Sequence, residues 1–377
     1  MRYSRIKAVA VKEFIHIMRD PRSLGMAIFI PMLLLLLFGY ALSLDVDRVP
    51  LAIWDQDQSP LSRDFISRFD GSPYFKINSY VSSYRDAELA IDKRDAMAAI
   101  IIPYDFSAKA GKSAKGSVQL ILDGSDSNTA TIASGYADMI TSLWSEDLIL
   151  KKIQKAGGRP VLNPVELRPR VWFNYDLESR NYIIPGLIAV IMMVISALLT
   201  SLTIAREWEQ GTMEQLISTP VKGHELIFGK LLPYFIIGMT DVAIAVIMGE
   251  FLFHVPMRGS LVMLFFMSGV FLAGALSLGI LISIIAKNQF LASQVAMIMT
   301  FLPSFLLSGF MSAISNMPKP LQIATHVIPA RYFVTILKGI YLKGAGLRVL
   351  AAEASLLAVF GIIVMVVANK KFKKKLG

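Results

Sequence analysis

The chain contains no cysteine among its 377 residues. Disulfides, thiolate nucleophiles and cysteine-ligated metals are therefore excluded. Histidine is nearly as scarce. His16, His224, His254 and His326 stand singly and give no metal-ligand spacing. A complete phosphate-binding loop is also missing. Gly111-Lys112-Ser113 has the look of its final residues, but Phe106 stands where the pattern needs another glycine. Any ATP-driven step must then be powered from another polypeptide.

Apolar sequence is what the chain has in abundance. Hydrophobic residues make up 54% of it, too many for an ordinary soluble domain of this length. Residues 24–44 form a run of 21 with no charged side chain. At about 1.5 Å rise per residue, some 20 apolar residues cross a bilayer core of roughly 30 Å. The run is too long for the usual apolar part of a signal peptide, so it reads as a retained span. Arg2, Arg5, Lys7, Lys12, Arg19 and Arg22 precede it, marking the cytoplasmic side. Five further apolar segments follow, near 182–205, 226–253, 260–286, 291–313 and 347–368.

Six spans place both termini on one side. The C-terminal tail, 370–377, is basic like the N-terminus, so parity and the positive-inside rule agree. The net charge of +10 is concentrated at these two ends, which suits anionic lipid head groups rather than nucleic acid. Residues 1–23 read as an amphipathic interfacial helix, with Ile6, Val9, Phe14 and Ile17 on one face and Lys12, His16 and Arg19 on the other.

Residues 45–178 are different in kind. They hold 16 Lys and Arg against 19 Asp and Glu, and 134 residues suffice for a core of their own. Short apolar strands near 49–54, 96–102 and 118–122 alternate with helical patterns at 61–69, 84–93 and 129–154. The long helix is expected to turn Ile132, Tyr136, Met139, Ile140, Leu143 and Trp144 inward, and 157–169 reads as a returning loop. The expected fold is a membrane α-helical protein of six transmembrane helices, with an α/β extracytoplasmic domain between spans 1 and 2. Spans 2–6 occupy 179–369, with a cytoplasmic loop at 206–225 and an external interfacial segment at 314–346. In that segment Phe333, Ile336, Leu337, Ile340 and Tyr341 fall on one helical stripe.

Ionisable side chains inside apolar spans are costly and usually face a bundle interior or a cavity. Asp241, in the third span, and Glu353, in the sixth, are the translocation-path candidates. Asp241 is equally readable as a structural acid bonded to a neighbouring helix. Gly269, Ala273, Gly274 and Ser277 share a face of the fourth span suited to close packing.

The loop at 206–225 carries the most specific pattern. It reads Arg206-Glu207-Trp208-Glu209-Gln210-Gly211-Thr212-Met213-Glu214-Gln215-Leu216, then Thr219-Pro220-Val221, then Glu225 with Gly229-Lys230. This resembles the signature of type 2 ABC transporter permeases, in the multidrug-efflux-like branch with a large external domain. Lys12-Glu13-Phe14 with Arg19-Asp20-Pro21-Arg22 resembles the opening helix of that family. Ile102-Pro103-Tyr104-Asp105-Phe106-Ser107 and Leu122-Asp123-Gly124-Ser125 resemble its external domain.

The resemblance implies the membrane half of an ATP-driven exporter in the bacterial inner membrane, with cytoplasmic termini. Arg206, Glu207, Glu209, Gly211, Thr212, Met213, Glu214 and Leu216 then couple it to a separate ATP-binding subunit, present in two copies, which holds ATP and Mg. This chain itself needs no cofactor. A second permease, as homodimer or heterodimer, completes the path, and a periplasmic adaptor can follow. The cargo implied is hydrophobic or amphipathic. Two other readings remain at this point. One is an ion-coupled transporter using Asp241 and Glu353, and the other a membrane sensor or scaffold with an external ligand-binding domain.

Overall fold

The computed structural model describes residues 3–42, 46, 48–111, 116–155, 172–174 and 178–372. They form two compact units, Leu44–Arg170 and the combination of Met1–Ser43 with Val171–Gly377. The readings made on Lys112 and Ser113, on 157–169 and on the tail beyond Phe372 lie outside the described residues.

The chain opens with α1 (Tyr3–Arg19) and a short α2 (Pro21–Leu24). A π-helical turn, Gly25–Phe29, then leads into α3 (Ile30–Ala41). The wide turn sits just before Pro31, whose ring lacks an N–H and crowds the turn before it. The buried stripe of α1 is Val9, Ala10, Glu13 and Ile17, while Phe14 is exposed. This corrects the expected face. Glu13 replaces Phe14 on the inner stripe because the carboxylate has buried partners. Phe14 instead joins Val11, Ile15 and Met18 on an exposed apolar face.

Residues Leu44–Arg170 alternate strand and helix: β1 (Val49–Asp55), α4 (Pro60–Asp70), β2 (Phe75–Tyr80), α5 (Tyr84–Asp92), β3 (Ala98–Ile102), α6 (Phe106–Gly111), β4 (Gln119–Leu122) and α7 (Ser127–Lys155). The sheet order is β2-β1-β3-β4, parallel except for β4 against β3. Leu51, Ile53, Ile100 and Ile102 share one cluster with Phe65, Phe69 and Trp144 from α4 and α7. Ala52 and Ala99 meet Ala87 of α5 in another. Most of the large buried side chains thus lie on one sheet face and the alanines on the other. β2 gives no clear hydropathy signal, because Phe75 and Ile77 alternate with polar residues and only Phe75 is fully buried. In α7 the inner stripe is Ala133, Ala137, Ile140 and Trp144, whereas Met139 and Leu143 are exposed. Small alanines, invisible to a search for large apolar residues, rotate the face inward.

The second unit continues with α8 (Ser179–Glu209), α9 (Thr212–Ser218), α10 (Gly223–Ile247) and a π-helical extension, Met248–Leu252. Then follow α11 (Leu261–Ala286), α12 (Gln289–Leu307), α13 (Lys319–Ala324), α14 (Pro329–Lys343) and α15 (Leu347–Lys371). Among the described residues, α8, α10 with its extension, α11, α12 and α15 are long and apolar enough to cross a membrane. The apolar helix at Ala27–Ala41 is shorter.

The hub is α8, which is almost wholly buried and packs against α3, α10, α11, α12 and α14. Its crossing with α11 is close. A Cβ added at Gly279 would overlap Thr200 Oγ1 and the Ala197 carbonyl. The small-residue face of α11 packs outward from there, with Gly274 against Gly361 of α15 and Ser277 Oγ 3.9 Å from Met365 S. The α14 stripe of Phe333, Ile336, Leu337, Ile340 and Tyr341 is fully buried, with Phe333 stacked on Phe271 of α11 at 4.0 Å. In contrast, α12 and α15 leave most of their apolar surface uncovered.

Candidate functional site

The C-terminal end of α8 runs into the loop singled out by the sequence. Gln210 ends the helix, Gly211 adopts φ +69°, and α9 starts at once. That left-handed conformation costs a residue with a Cβ about 1 kcal/mol or more, which accounts for the glycine. The apolar side of α9 turns toward its own chain. Met213 is fully buried beside Val9 and Leu226, with Leu216, Ile217, Val221 and Phe372 packed around them. Glu209, Gln210, Glu214, Gln215 and Ser218 are exposed.

Glu207 does not share that exposure. It sits in the last turn of α8 and accepts from Lys12 Nζ at 2.6 Å and from Lys230 Nζ at 3.2 Å on one oxygen. The Thr212 hydroxyl donates to its other oxygen. Lys230 also donates to Glu13 at 2.9 Å, and the Tyr234 hydroxyl reaches the second Glu13 oxygen at 3.3 Å. Two carboxylates and two ammonium groups balance, and every carboxylate oxygen has a donor. The Lys230, Glu13 and Glu207 side chains are only 2%, 4% and 10% exposed. A buried charge set of this kind is tolerable only when its partners are all in place.

This cluster ties α1, α8, α9 and α10 together. A second tier surrounds it. Arg206 lies 3.7 Å from Asp20, bonds Gln289 at 3.3 Å, and has His16 Nε2 at 2.8 Å. Glu209 accepts from the backbone and side-chain amides of Gln289 at 2.9 and 2.6 Å, pinning the start of α12. Arg5 donates to the Pro220 carbonyl at 2.6 Å and lies 3.6 Å from Glu225. Glu225 in turn caps α10 by accepting the Lys222 N–H at 3.0 Å.

The two sequence patterns, Lys12-Glu13 and Glu207 with Lys230, are thus halves of one ion-pair network. Lys12, Glu13, Lys230 and Tyr234 were not among the expected site residues. The available signal was an acid on the apolar stripe of α1 and a lysine several residues inside the apolar run of α10. Each is unfavourable alone.

The intramembrane candidates lie elsewhere. Asp241 on α10 is buried, and its Oδ1 has no hydrogen-bond partner. It faces Pro31, Leu35, Ile188 and Met192 across a space of about 10 Å³, on the scale of one water molecule. Glu353, on α15, borders an open cavity of about 510 Å³ with Tyr182, Ser308 and Lys338. The structure does not bring Asp241 and Glu353 to a common cavity. Among the described residues no cluster of acids and histidines has the geometry to hold a metal.

Residues 21–369 match the family described as ABC-2 family transporter protein. The chain belongs to that family. It is 40% identical to the probable multidrug ABC transporter permease YbhS of Escherichia coli strain K12 over 346 residues, 91% of this chain and 89% of the relative. It is 32% identical to the probable multidrug ABC transporter permease YbhR of the same strain over 350 residues, 92% of each chain. A more distant similarity, 20% over 367 residues, is to ABC transporter G family member 20 of Dictyostelium discoideum, covering 96% of this chain and 49% of that protein. With five helices of spanning length and composition among the described residues, this ABC-2 protein is a multi-pass membrane protein. Its signature loop is the segment braced by the Glu13–Lys230–Glu207 cluster.

Proposed function

We propose that this ABC-2 permease is the membrane subunit of an ATP-driven exporter and that the exposed edge of α9 is its contact with a separate ATPase. The carrying observation is the division of labour in the loop. Its apolar residues and Glu207 are held by the chain itself, while Glu214, Gln215 and Gly211 face outward on a short helix that cannot swing freely. A rigid edge bearing a carboxylate suits a groove with basic groups on a partner. Force applied there passes to α1, α8 and α10 through the buried ion pairs.

In this reading the π-turned helix around α3 is the first of six spans. The unit Leu44–Arg170 stands outside, the termini lie in the cytoplasm, and the membrane is the bacterial inner membrane. Two ATPase copies, holding ATP and Mg, serve a pair of permeases whose uncovered apolar faces on α12 and α15 meet lipid or each other. The names of the YbhS and YbhR relatives support hydrophobic or amphipathic cargo. An adaptor would then receive it on the far side.

The test is ATP hydrolysis by the permease co-purified with its ATPase. Glu214→Lys should cut coupled hydrolysis tenfold or more while the permease stays folded in the membrane. Retained coupling in that variant would remove the exposed edge of α9 from the contact.

A further inference from the structure

Tyr182 lies 25 residues before Glu207 on α8, about 37 Å away at ~1.5 Å per residue. At that far end the open cavity of about 510 Å³ is bordered by Ser308, Lys338, Lys343 and Glu353. Lys338 stands in place before any ligand arrives. Its Nζ donates to the Gly309 carbonyl at 2.8 Å and lies 3.1 Å from the centre of the Tyr182 ring. Burial pushes the pKa of Lys338 down to about 7, and in its charged form one of its three donors remains for the cavity after these two contacts. Ser308 is 1% exposed, and its hydroxyl has no hydrogen-bond partner. Glu353 Oε2 is also buried without one.

These three groups line one space yet do not satisfy one another. Lys338 and Glu353 are not ion-paired, so the amine and the carboxylate border the cavity more than 4.0 Å apart. Buried polar atoms in a folded protein are nearly always bonded, and unpartnered ones ask for an occupant. A lone anion would leave the carboxylate orphaned, and a lone cation would leave the Ser308 hydroxyl orphaned and the third donor of Lys338 unused. A ligand carrying both charges serves all three. Leu342 and Val349 form an apolar part of the same cavity lining.

We propose that this cavity binds the head group of a zwitterionic amphiphile. The anionic group, of the phosphodiester kind, sits on Lys338 and Ser308. The amine sits on Glu353, and the apolar tail leaves along Leu342 and Val349. The site stands on its own geometry, whether or not export is powered through α9.

The test uses the purified full chain in detergent, with bound lipid counted by native mass spectrometry. Phosphatidylethanolamine should be retained about tenfold over phosphatidylglycerol, the scale of one charge-assisted hydrogen bond. Glu353→Gln should bring that ratio near one by weakening the ethanolamine lipid alone, and Glu353→Asp should restore part of it. Lys338→Gln should weaken both lipids. Lys151→Gln, in the other unit, should change neither. Thermal unfolding of each variant shows that the fold is kept.

Dihexanoyl-phosphatidylethanolamine separates the sources. If it competes with the long-chain lipid, diffusible amphiphiles also occupy the site. If only the long-chain form is held, the occupant is a bilayer lipid. Either result keeps the proposal. Equal retention of the two lipids by the unmodified chain would overturn it, as would a ratio that survives Glu353→Gln. A change of oligomeric state in Glu353→Gln with no change in ratio would make the cavity a contact between copies and sink the lipid site.

Discussion

The two ends of α8 treat charge in opposite ways. At the Glu207 end, two carboxylates and Lys230 are buried, Lys12 closes the cluster from its exposed side, and every carboxylate oxygen has a donor. At the Tyr182 end, a lysine, a hydroxyl and a carboxylate border one open cavity, and two buried oxygens there have no partner. A saturated cluster is a fastening. An unsaturated one is a receptor. The same helix therefore carries a part that must not change and a part built to receive something.

Mutations that remove one member of each set sharpen this contrast. Lys230→Met should have the largest effect, since it strands Glu13 and Glu207 without their shared partner. A loss of about 3–5 kcal/mol is expected, read as a lowered unfolding temperature in detergent. Adding Glu13→Gln to Lys230→Met should recover part of the loss. An unchanged unfolding temperature in Lys230→Met would break the comparison at its firmer end.

Gly279→Ala tests the hub between the two ends. The new methyl would meet Thr200 and the Ala197 carbonyl on α8, so overpacking of about 1–3 kcal/mol is expected. Gly211→Ala should cost about 1 kcal/mol through its φ of +69° alone, because open space surrounds that position. In an assembled complex, that variant should lower coupled ATPase activity more than stability. Glu353→Gln should be the mildest, within about 0.5 kcal/mol of the parent or slightly stabilising, because it deletes a charge with no partner to lose. A loss comparable to that of Lys230→Met would show that Glu353 is a fastening as well.

Much of the helical unit was legible because spans are written in long apolar runs. Helices α8, α10, α11 and α15 begin and end close to the hydropathy edges, whereas α12 stops at Leu307, short of its apolar tail at 313. The α14 stripe was legible too, but its destination was not. Periodicity gives a face, and only packing shows that the face meets α8 and α11. Phe14 was placed on the inner face, and Glu13 on neither, for a related reason. A charged side chain is read as outward unless its partner is known, and that partner is far away in sequence. Met213 illustrates the reverse case, an apolar residue that could serve a foreign groove or a domestic one. Ser308 carried no signal at all, since only the cavity around it gives a lone serine meaning.

The Glu13–Lys230 pair joins residues 217 positions apart. At roughly 5–20 residues per second, a ribosome needs about 10–40 s to deliver the second after the first. Through that interval α1 has emerged with an acid on its inner stripe and nothing to receive it. Its other face, Val11, Phe14, Ile15 and Met18, is complete from the beginning and suits the surface of a bilayer. The helix can thus wait on lipid and dock only after α10 arrives, so a helix made early is locked late, and its locking reports that the third apolar segment is in place.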